Sequence, residues 1–371
     1  MTAMATSATR VTKTYPLALS RDYVRHWGLP EAVRELLQNA IDSDAQFEYS
    51  FEGDTLTITS RFVTLSPRTL LMGVTTKHGD AAAIGNFGEG YKLALLVLLR
   101  EGYAVIVRNG DKVWTPAFQV SPDYDAEIMV IEESEGIEDC NAVEFVIMGL
   151  SEEEQQEIRQ SCLLMQPPMN NVIGVHQGYI LPDRPGRLYV GGLFVCALDK
   201  MAYGYDFKPE HLQLERDRQT VNTWQVAYQI AGIWLATEQW ELVARLMAEA
   251  VHDVEDLKHF NVPKGLADAC AKQWIKQHGD AIPVSSQQEA NDRQQAATRG
   301  QSVRTVFVGE SMQRAVQASS LVAGTAIAKA PTLSPRQQVE RWYEDNKKNM
   351  PRLPKVAFKR LLDASAKWRL S

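Results

Sequence analysis

The chain has 371 residues, 45% of them hydrophobic and 23% charged, with a formal net charge of −7. That is the composition of a folded globular protein of two or three domains, and the lack of any run near about 18 apolar residues excludes a membrane-spanning helix. The opening segment has no apolar signal core, so a cytoplasmic location is expected, and the widely spaced Cys140, Cys162, Cys196 and Cys270 read as reduced, packed thiols.

In chain order, residues 1–20 read as an irregular or strand-like segment. Residues 30–44 are the first clear helix, with Pro30 suited to its opening turn. Within it, EAVRELLQNAIDS spaces Glu35, Asn39 and Asp42 by four and three residues, which stacks them at one azimuth. Val33, Leu36, Leu37, Ala40 and Ile41 form the core-facing stripe on the other side. A line of carboxylate, amide and carboxylate backed by a buried face suits a metal and an attacking water. Residues 47–51 and 55–59 alternate around Glu52, Gly53 and Asp54 as a β-hairpin. Residues 65–72 then make a short helix capped by Ser66.

Next comes IGNFGEGYKLALLVLL, in which a loop holding Gly85, Asn86, Phe87, Gly88, Glu89 and Gly90 runs into an apolar helix beginning at Tyr91. Such a junction leaves backbone N–H groups and a helix N-terminus to hold phosphate, and its glycines let the backbone come close. Lys77 and Lys92 are placed to offset phosphate charge. Strands follow at 103–108, 112–119 and 128–133, the first two joined by a tight turn at Asn109 and Gly110, with a further strand at 142–148. Helices mixed with antiparallel hairpins predict an α+β sandwich over residues 1–148.

Residues 149–278 read as a second α+β domain. It opens with a helix over 151–164, with Ser151 and Glu154 as a capping box. A strand pair over 187–196, kinked at Gly191 and Gly192, leads through 207–222 to one long helix over 224–250. Residues 279–321 form a small β-α-β-α module with a second capping box at Ser286 and Glu289, and 322–335 is the linker. Residues 336–371 are two helices carrying ten Lys/Arg against four Asp/Glu, a +6 tail on a body of −13. Nucleic-acid contact through this tail is one reading. A solvated helix pair with Trp342, Tyr343, Phe358 and Trp368 as packing anchors is the other.

The ordered pair of motifs resembles the GHKL superfamily, the ATPases named after gyrase, the heat-shock chaperone, histidine kinases and MutL. Glu35, Asn39 and Asp42 match its E-x3-N-x2-D helix, and Gly88, Glu89, Gly90 and Lys92 match its phosphate lid. The stretch GVTTKHGDAAAIGNFGEGYK looks most like the MORC and chaperone branches, and phage-encoded ATPases of this type carry a loop similar to FGEGYKLAL. The resemblance covers about residues 25–100. It implies a Bergerat-type ATP-binding α/β sandwich followed by a transducer-like α+β domain, with ATP and Mg²⁺ as cofactors. It also implies Glu35 as the base that aligns and deprotonates a water, Asn39 as the Mg²⁺ ligand, and Asp42 as a contact in the nucleotide pocket. Lys77 and the loop from Gly85 to Lys92, Phe87 and Tyr91 included, would hold the nucleotide. In such proteins a basic transducer residue reaches the γ-phosphate, and Arg216 and Arg218 are its counterparts here. Lid closure or nucleotide-dependent homodimerisation would then act on a protein or nucleic-acid client.

One motif departs from the pattern. The superfamily's D-x-G-x-G, whose Asp reads the adenine amino group, has no counterpart in TITSRFVTL over residues 57–65. Ser60 or another donor takes the base, a different purine is accepted, or affinity is low. This departure favours the alternative of a non-catalytic nucleotide-binding or scaffold protein, whereas retention of Glu35 opposes it. A histidine kinase needs a phosphoacceptor hairpin ahead of the first motif, where only 30 residues stand. A topoisomerase or mismatch-repair protein needs a nuclease or strand-passage motif that the sequence does not display.

Overall fold

Seven strands that alternate apolar and polar residues build the first of two units. They are β1 (Val11–Ser20), β2 (Phe47–Glu52), β3 (Thr55–Arg61), β4 (Ala104–Asn109), β5 (Lys112–Ser121), β6 (Ala126–Glu135) and β7 (Ala142–Met148). The computed structural model describes residues 10–42, 46–71, 89–136, 138–212, 223–296, 303–327, 339, 342–343, 346–348 and 350–365. By internal contacts the chain divides into residues 1–222 and 223–371, a boundary inside the stretch 149–278 that was expected as one domain.

The strands form one antiparallel sheet in the order β1-β6-β5-β4-β7-β3-β2. The register sets Ile58 and Val107 on either side of Phe145, and Leu56 and Val105 on either side of Ile147. Because side chains alternate with a period of two, these residues share one face and bury it together. The opposite face carries exposed ion pairs, Arg108 with Glu144 at 3.1 Å and Arg61 with Glu48 at 2.6 Å, which contribute little to stability. The turn between β4 and β5 differs by one residue from expectation. Asn109 pairs with Lys112 in the ladder, so Gly110 and Asp111 make the turn.

Helices α1 (Leu29–Asp42), α2 (Gly90–Glu101) and α3 (Glu152–Ser161) cover the apolar face. The run from Leu93 to Leu98 is buried on every side, as its unbroken apolar sequence requires. The capping box of α3 is present: Ser151 accepts from the Glu154 N–H, and Glu154 accepts the Ser151 N–H at 2.8 Å. This helix stops at Ser161, three residues before the expected end, and a 3-10 turn over Leu163–Met165 replaces its last turn. Ser66 does not cap an α-helix: a 3-10 turn over Pro67–Leu70 stands there, without a side-chain bond from Ser66.

A five-stranded sheet completes this unit, from β8 (Ile173–Val175), β9 (Gly178–Leu181), β10 (Arg187–Val190), β11 (Leu193–Ala197) and β12 (Gly204–Phe207), in the order β11-β10-β12-β9-β8. Only β10 and β12 are parallel. Gly191 and Gly192, at φ of 57° and 79°, make the expected turn between β10 and β11, where side chains would be strained. One core runs from α1 and α2 through Ile158, Cys162 and Met165 to Leu193.

The second unit holds α4 (Thr223–Ala236), α5 (Trp240–Ala248), a 3-10 segment His252–His259, α6 (Lys264–His278), β13 (Ile282–Val284), α7 (Gln287–Ala296), β14 (Thr305–Phe307), α8 (Glu310–Ala318) and a C-terminal helix Arg352–Ser365. The single helix expected over 224–250 is two. Thr237 Oγ1 donates to Trp234 O at 2.8 Å and accepts the Gln239 N–H at 3.2 Å, with Glu238 between them at a φ of 53°. A local side-chain bond thus replaces the helical ladder, while apolar periodicity carries on through the break. The β13-α7-β14-α8 order matches the expected module, with β13 and β14 parallel. Part of the expected linker is packed: Val322 and Ile327 are buried, and Arg293 donates to Ala326 O at 3.1 Å. In the tail, Phe358 packs its ring against Trp342 and Tyr343 at centroid distances of 5.3 and 5.4 Å. The fold is α+β around a large antiparallel sheet. Among the described residues no helix is long and apolar enough to cross a membrane.

Candidate functional site

The site begins with what fixes α1. The Gly28 N–H donates to Glu31 Oε2 at 2.8 Å, closing the helix start. Arg100, in the last turn of α2, donates to Tyr23 O at 3.0 Å and Trp27 O at 2.6 Å. The segment entering α1 is therefore held by the end of α2. This leaves the start of α2 alongside the middle of α1.

At that contact the polar line of α1 meets Gly90. Glu35 is 3% exposed and Gln38 1%, whereas Asn39 and Asp42 are half-buried. A Cβ at Gly90 would overlap Glu35 Oε2 and lie 3.2 Å from Glu35 Cδ and 3.3 Å from Asn39 Nδ2. Glycine lets the two helices approach this closely, since a side chain here would make the buried Glu35 carboxylate shift. Asn39 Nδ2 donates to Glu35 O at 2.7 Å. A backbone carbonyl can only accept, so the amide orientation is fixed and Oδ1 is the atom that Asn39 offers to a ligand.

Glu89 is the N-cap residue of α2 and supplies no side-chain cap. The Lys92 and Leu93 N–H groups both donate to Glu89 O at 3.1 Å, so at this positive dipole end beside Glu35 the N–H groups of Gly90 and Tyr91 are the ones that could face an anion. Tyr91 and Lys92, both expected at the nucleotide, are held by partners on the chain itself. The Tyr91 hydroxyl lies 2.9 Å from Thr69 Oγ1 and its ring packs on Phe145. Burial pushes that hydroxyl up to about 12, with the Thr69 bond acting in the opposite sense, so it stays protonated. Lys92 is fully buried and donates Nζ to Thr69 O at 2.9 Å and Leu71 O at 2.6 Å. Burial pulls its ammonium below the ordinary value, opposed by the nearby Glu89 carboxylate. The lysine ties the start of α2 to residues 69–71, because an aliphatic stem this deep in the core needs fixed acceptors for its charge.

Two residues joined the site without a sequence signal for it. Thr69 serves both Tyr91 and Lys92. Asn109, read from sequence as a turn residue, accepts the Leu65 N–H at 2.7 Å and donates to Leu65 O at 2.8 Å. It holds the 63–66 segment over the end of β4. Ser60 is 8% exposed, on the side of β3 that faces the helices. Lys77, Gly85, Asn86, Phe87, Gly88, Arg216 and Arg218 lie outside the described residues.

No protein-family model matches the sequence, and no curated protein does. The chemistry therefore rests on the residues. A buried carboxylate, an oriented amide oxygen and a helix N-terminus meet at one glycine. Among the described residues no group of three His, Cys, Asp or Glu side chains could hold a metal by themselves. One amide oxygen suits a hard cation such as Mg²⁺, which keeps water and phosphate oxygens in most of its coordination sites. The donor set fits that ion and would suit zinc poorly.

Proposed function

We propose that this chain is a Mg²⁺-dependent ATPase of the GHKL type, a slowly hydrolysing switch with a Bergerat-type sandwich in its first unit. The observation that carries the reading is the meeting of Glu35, Asn39 and Gly90. Two motifs separated by about fifty residues come into contact, and a Cβ at Gly90 would overlap the Glu35 carboxylate as it is placed. An antiparallel sheet with helices on one face also supports it.

Glu35 takes the proton of a water aligned with the terminal phosphorus, and its burial removes competing solvent. Asn39 Oδ1 would hold the ion, its amide kept in orientation by the bond from Nδ2 to Glu35 O. The first turn of α2 presents N–H groups to the phosphates. Mg²⁺, when bound, supplies charge neutralisation on the phosphate oxygens. Lys92 is a positioning residue that secures α2 through Thr69 and Leu71. Nucleotide-dependent homodimerisation and action on a protein or nucleic-acid client extend the proposal.

The test is nucleotide hydrolysis and nucleotide-dependent thermal shift, with and without Mg²⁺. Glu35→Gln should slow turnover by about 10²–10⁴-fold and keep the thermal shift. Asn39→Ala should remove the Mg²⁺-dependent part of the shift. Unchanged hydrolysis in Glu35→Gln sinks the assignment. A shift with ATP but no turnover in the wild type favours the non-catalytic scaffold instead, the reading that the missing D-x-G-x-G supports.

A further inference from the structure

Away from α1 and α2, a cleft of about 710 Å³ opens between α3, the 3-10 turn after it and strand β10. Arg159, Arg184 and Arg187 line it together with Gln160, Gln166 and Tyr189, and among the described residues no Asp or Glu does. None of the three arginines forms an ion pair among the described residues. Arg159 lies over the ring of Phe51 at 3.6 Å and Arg187 over Phe194 at 4.4 Å. Stacking of this kind fixes the guanidinium plane and leaves the N–H edge of Arg159 for an oxyanion, while Arg187 also donates through Nη2 to Gln160 O at 3.5 Å. Arg184 is oriented through Nε to Gln166 Oε1 at 2.7 Å and through Nη1 to Asp183 O at 2.9 Å.

A second observation points to a ligand. Tyr189 is 0% exposed, and among the described residues its buried hydroxyl has no hydrogen-bond partner, nor has Nε of Arg187. Buried groups of this sort are ordinarily satisfied, because an unmade bond carries the whole desolvation cost. The Tyr189 hydroxyl and the Arg187 Nε, beside three guanidiniums without a carboxylate partner among the described residues, are the kind of donors an anionic group would satisfy. The volume is that of a small-molecule site.

We propose that this cleft binds a small molecule carrying two or more phosphate or carboxylate groups, gripped by Arg159, Arg184 and Arg187, with the Tyr189 hydroxyl as a further donor. None of these residues belongs to the nucleotide site proposed above. The test is isothermal titration calorimetry of the full chain in EDTA, with pyrophosphate and citrate as probes. One site is expected for at least one probe, and the tighter of the two assigns phosphate or carboxylate chemistry. Arg184→Gln should weaken binding by about tenfold or more, and Tyr189→Phe should weaken it several-fold without lowering the melting temperature. Because Tyr189→Phe removes only an unpartnered hydroxyl, folding is preserved and the binding readout stands alone. Asn39→Ala should leave the affinity unchanged. The proposal is overturned if neither probe binds, if Tyr189→Phe and Arg184→Gln both bind as the wild type does, or if binding is lost in Asn39→Ala.

Discussion

Gly90 and Glu35 set the energetics of the candidate site. Alanine in a helix is ordinarily better than glycine by about 1 kcal/mol, so Gly90→Ala would stabilise an isolated α2. Here the added Cβ overlaps Glu35 Oε2, so the carboxylate of a side chain that is itself buried must shift. Overpacking of that sort costs about 1–3 kcal/mol, which exceeds the helix gain over most of its range. The melting temperature of Gly90→Ala should therefore fall by several degrees and ATP turnover should be lost. A melting temperature at or above wild type, with turnover retained, would show that the carboxylate is not confined there. Lys92 illustrates the complementary point: a residue expected at the ligand is occupied by two backbone carbonyls. A charge buried this completely is retained where its acceptors are fixed.

Among the elements, β12 carries a titration that the fold imposes. Asp206 accepts the Gly192 N–H at 2.8 Å, fixing the turn between β10 and β11. Burial pushes its carboxyl up to about 6, opposed by that same bond. A carboxyl raised in the folded state binds its proton more tightly there than in the unfolded chain. Its penalty is absent below the unfolded value near 4 and complete above about 6. Asp206→Asn keeps an acceptor for Gly192 and removes the charge. The variant should be more stable than wild type at pH 7.5, by about 1–3 kcal/mol, and the difference should shrink toward pH 4. Urea unfolding at the two pH values measures this, and an equal difference at both would contradict the buried-carboxyl account. In the second unit, the break between α4 and α5 is likewise local, made by the Thr237 hydroxyl within an otherwise continuous apolar pattern.

At the scale of the molecule, two units share one chain, and charge is concentrated at its end. The tail's aromatic residues Trp342, Tyr343 and Phe358 pack on one another. Base stacking would compete with that packing, so any nucleic-acid affinity of residues 336–371 should be electrostatic. With ten Lys/Arg, the tail can release at most about nine counterions from duplex DNA. Duplex DNA binding should then lose affinity steeply between 50 and 200 mM salt (by at most about five decades) and vanish on deletion of 336–371. Binding that persists without the tail would assign it elsewhere, and no binding at low salt would end the idea.

The sequence by itself determined the local pieces. A period of two marked the hairpins, the Ser151 and Glu154 spacing marked a capping box, and the 4-and-3 spacing marked a polar line on α1. It also supplied glycine at the positions of tight turning between β10 and β11. Those features depend on interactions within a few residues, which is why they can be read along the chain. The three- and four-residue strands β8, β9 and β12 were missed, since segments that short hold too few alternations to declare a period. Only tertiary structure decided that Glu35 is buried rather than solvated, that Lys92 is bonded to carbonyls, and that Asn109 holds Leu65. It alone brought three arginines and Tyr189 to one cleft. In each case the partner lies on another element, and what a polar group costs or contributes is set by the atoms that replace its water.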